Sequence, residues 1–66
     1  MSWRDVLKVL SKRGFRPVRK HGSQIIVENS EGSFTVVPKK DEIKPGTLLS
    51  IIDQAGLTKE EFIRLI

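Results

Sequence analysis

Hydrophobic spacing changes its period twice along this chain, and that change limits the available folds more than any other feature. Trp3, Val6, Leu7 and Leu10 recur at helical spacing. Two runs rich in β-formers follow, Ile25-Ile26-Val27 and Phe34 with Val36-Val37. Leu48, Leu49, Ile51, Ile52 and Ala55 then return to a helical pattern. A chain that reads helix, strands, helix must cover a small sheet with helices to hide its apolar stripes.

Local signals set the boundaries. Ser2 is a good N-cap and Asp5, three residues on, completes a capping-box variant, so a helix is predicted over residues 3–13. Gly14 suits the position just past its end. Residues 15–20, Phe-Arg-Pro-Val-Arg-Lys, look extended, and Pro17, which lacks an amide donor, makes this an edge strand. His21-Gly22-Ser23 interrupts it. Residues 24–29 and 33–37 read as an antiparallel hairpin around the turn Asn29-Ser30-Glu31-Gly32. Pro38 marks the end of the third strand, and Lys39 to Lys44 is a polar connector. Pro45 opens the next helix, Gly56 closes it, and Thr58 with Glu61 caps a last short helix bearing Phe62, Ile63, Leu65 and Ile66. The expected fold is α+β, ordered α-β-β-β-α plus a short C-terminal helix. Its three-stranded antiparallel sheet has helices on one face, burying all the apolar stripes. This is the layout of double-stranded-RNA-binding domains. No repeat or linker divides the chain, so residues 1–66 are expected to form one domain.

The 66 residues leave little room for a deep active site. Chemistry is expected on the surface or in a shallow groove. With no cysteine and one histidine, disulfides, thiolate metal sites and histidine-rich metal sites are excluded. Asp41-Glu42 lack a third acid, so no metal site is expected there. No apolar run approaches the roughly 20 residues of a membrane span. The amino terminus shows no signal-peptide core, so no membrane contact and a cytoplasmic location are expected.

The net charge of +4 is unevenly spread. Residues 1–22 hold Arg4, Lys8, Lys12, Arg13, Arg16, Arg19 and Lys20 against Asp5 alone, a balance of +6. Residues 23–66 hold five basic and seven acidic groups. A basic end on a small domain points to a polyanion, most often nucleic acid. The most unusual stretch is Arg19-Lys20-His21-Gly22-Ser23-Gln24, two cations, an imidazole, a glycine, a hydroxyl and an amide at a strand entrance. Gly22 lets a phosphate approach the backbone, Ser23 and nearby amides can donate to it, and Arg19 and Lys20 can neutralise it. Arg16 and the Lys39-Lys40 pair are further candidates for RNA contact. A polar loop with a turn glycine accounts for the same residues without any function.

The chain resembles the HicA-like (YcfA-like) mRNA interferase toxins over nearly its full length. The pieces that carry the resemblance are Gly14-Phe15, Arg19-Lys20-His21-Gly22-Ser23, Val37-Pro38, Gly46-Thr47-Leu48, Gln54-Ala55-Gly56-Leu57 and Glu60-Glu61-Phe62. Each is weak singly; their order and spacing are fairly specific. The resemblance implies a toxin of a type II toxin–antitoxin system, a metal-independent endoribonuclease with no cofactor that cleaves mRNA. It also implies a HicB-like antitoxin partner that covers the active site and usually binds operator DNA. One departure matters. In the family a catalytic histidine commonly follows the Gly-Ser pair, and here that position is Gln24. Some relatives place it one residue later, where this chain has Ile25. A glutamine amide donates and accepts hydrogen bonds but is no base near neutrality. An engineered inactivating change, a naturally inactive homologue, or substitution by His21 would each account for it. Strand alternation is expected to point His21 elsewhere. A non-catalytic RNA-binding module of double-stranded-RNA-binding type is the alternative function.

Overall fold

The computed structural model describes residues 1–66. The elements run α1 (Trp3–Ser11), β1 (Arg16–His21), β2 (Gln24–Glu28), β3 (Phe34–Pro38), α2 (Pro45–Gln54) and α3 (Lys59–Leu65). The sheet is antiparallel in the order β1-β2-β3, so β1 is an edge strand, as Pro17 requires.

The helices begin where their chemistry dictates. Ser2 Oγ accepts from the Asp5 amide at 3.3 Å, and Asp5 Oδ2 accepts from the Ser2 amide at 3.1 Å. The same exchange joins Thr58 and Glu61 at the head of α3, at 3.1 and 2.9 Å. Both boxes satisfy amides that have no partner within the helix. They also hold the two carboxyls below their ordinary values. For Asp5 the main cause is the Ser2 backbone N–H; for Glu61 it is the Thr58 backbone N–H, then the Arg13 side chain. Gly56, at φ +74°, ends α2 in a conformation that side-chain-bearing residues avoid.

The core lies between the sheet and the helices. Val6 and Leu10 from α1, Ile25 and Val27 from β2, Val37 from β3 and Ile51 from α2 meet there with Phe15, Ile43 and Ala55. A smaller cluster of Val9, Ile52 and Phe62 seats α3. Arg13 ties the end of α1 to Glu61 at 3.0 Å, and Lys12 Nζ donates to the Leu65 carbonyl at 2.6 Å.

One expectation needs correction. The helices do not bury every apolar stripe: Leu49, Ile63 and Ile66 remain exposed, because α2 and α3 turn only part of their apolar circumference inward. In β3 the alternation buries Thr35 and Val37, leaving Phe34 exposed on the other face. The Thr35 hydroxyl is satisfied by donating to Gln54 Oε1 at 2.7 Å.

Candidate nucleic-acid interface

The face of the sheet opposite the helices is built in three rows. Cross-strand register sets His21 beside Gln24 and Gln24 beside Pro38. Arg19, Ile26 and Val36 form the next row, and Arg16, Glu28 and Phe34 the last. Residues directly opposite one another share a face. On β2 this face alternates with Ile25 and Val27, which are buried under the helices. The three rows are therefore the open side.

An irregularity in β1 makes this possible. Arg16 and Arg19 are three apart, and in a regular strand they would point to opposite faces. The register shifts between Pro17 and Arg19, leaving Val18 as the extra residue. Such a bulge resets the alternation. Arg16, Arg19 and His21 then line one face, while Lys20 pairs with Ile25 on the other. Val18 is half-exposed, and no residue of β1 is buried.

His21 departs from expectation. The loop between β1 and β2 holds only Gly22 and Ser23, and its flanking residues, His21 and Gln24, are paired. A two-residue hairpin loop leaves the residues on either side opposite each other, so the imidazole and the amide leave from the same face. Counting alternation straight through the loop gives the wrong answer, because the chain reverses there. Gly22 has φ +62°, positive at the first loop position only, the pattern of a type II′ turn. Apart from its two chain neighbours, nothing lies within 4 Å of where its Cβ would be, so the turn's backbone is open to an incoming group.

Gln24 also borders a shallow groove of about 370 Å³ between β3 and α2. Its polar side chains are Ser23, Gln24, Lys40, Thr47, Ser50 and Gln54. The sequence reading missed the three α2 residues. Their spacing, three and then four, is the one signal that marks a polar helical stripe. Lys39 and Lys40 lie in different surroundings. Lys40 lines the groove, whereas Lys39 Nζ lies 5.4 Å from the centroid of the Trp3 ring. Of the other RNA-contact candidates, Arg16, Arg19 and Gly22 are exposed but lie outside the groove. No three or more His, Asp or Glu side chains gather as a metal site would need. No helix is long and apolar enough to cross a membrane.

No curated protein matches the chain. A family model described as the HicA toxin of bacterial toxin–antitoxin systems matches residues 3–57, which takes in α1, the whole sheet and α2. With that match covering five of the six elements, the chain belongs to the HicA toxin family, whose toxins are paired with antitoxin partners.

Proposed function

We propose that this chain is the ribonuclease-type toxin of its pair, acting on mRNA without a metal, with its activity weakened or lost because Gln24 stands where the base is needed. The observation that carries this reading is the row His21–Gln24 beside the open Gly22-Ser23 turn, with Arg19 on the same face. RNA cleavage of this kind needs a base to take the proton of a ribose 2′-hydroxyl. The freed oxygen attacks the adjacent phosphorus, the bond to the 5′-oxygen breaks, that oxygen takes a proton from water to leave as a hydroxyl, and a 2′,3′-cyclic phosphate remains. Arg19 and the backbone amides of the turn are placed to stabilise charge on the pentavalent transition state. Gln24 can orient the hydroxyl through its amide but cannot hold the proton. A HicB-like antitoxin would cover this same open face.

The pairing of His21 with Gln24 favours a second reading, in which His21 takes the base's role from across the hairpin. Histidine is the side chain suited to proton transfer near neutral pH. RNA cleavage in the presence of chelator separates the readings. On the first, Gln24→His raises the rate by at least about 10²-fold, the usual contribution of a general base. On the second, the unaltered chain already cleaves, and His21→Ala removes that activity. Either cleavage must fail on a substrate lacking the scissile 2′-hydroxyl. RNA binding without cleavage by the unaltered chain and by Gln24→His would overturn both and leave a non-catalytic binding module.

A further inference from the structure

A second group of cations lies at the same end of the sheet as Gln24 but on the helix side. Trp3 is its centre. Arg4 Cζ stands 4.6 Å from the Trp3 ring centroid and Lys39 Nζ stands 5.4 Å from it. Lys20 reaches this side because its partner in the ladder is Ile25, whose side chain is buried under the helices. Backbone hydrogen bonds fix the frame: the Trp3 amide donates to the Lys40 carbonyl at 3.0 Å, and the Lys39 amide to the Ser23 carbonyl at 2.7 Å. The cluster is thus held against the hairpin turn by its backbone.

Three like charges converge without a counter-charge. Neither of the two ion pairs in the molecule involves Arg4, Lys20 or Lys39. The nearest acid in sequence, Asp5, is committed to the Ser2 cap. The crowding is felt at Lys39, which contact with Lys20, and then the Lys20 and Arg4 charges, hold below the ordinary lysine value. Cations gathered this way repel one another until an anion joins them. The aromatic ring supplies a partly desolvated floor that strengthens such contacts.

We propose that Trp3, Arg4, Lys20 and Lys39 form a phosphate subsite for the RNA strand, next to the Gln24 row and separate from it. The proposal rests on the RNA reading above and extends it. A strand passing over the Gly22-Ser23 turn leaves its reacting phosphate on the open face and a neighbouring phosphate in the cluster. Lys20 and Lys39 act there as point charges, and Arg4 adds a planar donor. This gives Lys20 a role on the opposite side of the sheet from Arg19, although the two are adjacent in sequence.

Trp3 is the chain's single tryptophan, so its fluorescence reports on the site directly. The experiment titrates the full chain with a short single-stranded RNA and, separately, with inorganic pyrophosphate. Affinity for the RNA is measured over a series of salt concentrations. Both ligands are expected to change Trp3 emission. The double variant Lys20→Gln/Lys39→Gln should lose the pyrophosphate response and reduce the RNA salt slope by about 0.7, the value for one phosphate on a single strand. Lys59→Gln/Arg64→Gln, the same charge change on α3, should do neither. Undiminished RNA binding and slope in the Lys20/Lys39 variant would overturn the subsite while leaving the RNA reading intact. An equal loss in the α3 variant would also overturn it, since net charge alone would explain both. A pyrophosphate response without RNA binding would sink the RNA reading and retain an anion site. No response to either ligand would overturn both.

Discussion

The two edge strands belong to one sheet and meet the same central strand, yet they are opposite in character. In β3, Thr35 and Val37 are completely buried under the helices, and Gln54 Oε1 of α2 accepts a hydrogen bond from the Thr35 hydroxyl. In β1, all six residues are exposed, one position is a bulge, and three side chains are cationic. β3 anchors the sheet to the core. β1 hangs from β2 by its backbone ladder and contributes little to burial. A small domain must keep its few buried contacts in some elements to leave others free for a ligand. Here the division falls between the two edges, and the candidate side chains Arg16, Arg19, His21 and Ser23 lie on the free edge and the turn it leads into.

The sharpest test is to damage each edge equally. Val37→Ala removes two buried carbons and leaves a cavity, at a cost of about 2 kcal/mol. That is a large share of the roughly 3–5 kcal/mol expected from a core of this size. Val18→Ala, the same change in the β1 bulge, should stay within about 0.5 kcal/mol. Urea midpoints of the two variants decide the matter. Equal losses would mean that β1 carries core energy its exposure does not suggest.

Acid provides a gentler test of the anchored part. Asp5 and Glu61 have folded values held down by their capping hydrogen bonds, below the ordinary 3.8 and 4.5. As pH falls past those ordinary values, the unfolded chain takes up protons that the folded chain refuses. The stabilisation is therefore complete above the ordinary values and is lost as pH falls through the depressed ones. The melting temperature should drop over that interval, and Asp5→Asn with Glu61→Gln should flatten the profile. The loss belongs to α1 and α3, so amide exchange should rise first at their amino-terminal turns. Simultaneous loss across β1 would show that the edge depends on the caps.

Much of this division was legible in the chain. Ser2-Asp5, Thr58-Glu61, Pro45 and Gly56 act within a few residues of themselves, and each set a boundary as local chemistry requires. The order of elements followed from periodicity. What escaped was anything dependent on register. The bulge at Val18, which turns Arg16 and Arg19 to one face, leaves no mark in composition. The two-residue reversal at Gly22-Ser23 sets His21 beside Gln24, whereas strand alternation alone points the imidazole elsewhere. Thr35 looked less apolar than Phe34, yet β3 alternation buried it and exposed the aromatic ring. The Trp3 cluster joins residues from α1, β1 and the segment after β3, so only tertiary contact reveals it.

The smallest expected stability effect is the most telling about β1. Arg16→Gln/Arg19→Gln removes two charges from the open face, neither of which takes part in an ion pair. Side chains of this kind contribute little to folding, so the urea midpoint should move by no more than about 0.5 kcal/mol. RNA binding should respond differently. If each arginine neutralises one phosphate, the slope of log affinity against log salt falls by about 0.7 for each. Stability and salt slope are read on the same protein, so loss of fold cannot pass for loss of binding. A stable variant with an unchanged slope would show that the open face does not contact the phosphate chain. A reduced slope with an unchanged midpoint would mean that β1 can be altered for binding without cost to the scaffold, because its energy was never invested in the core.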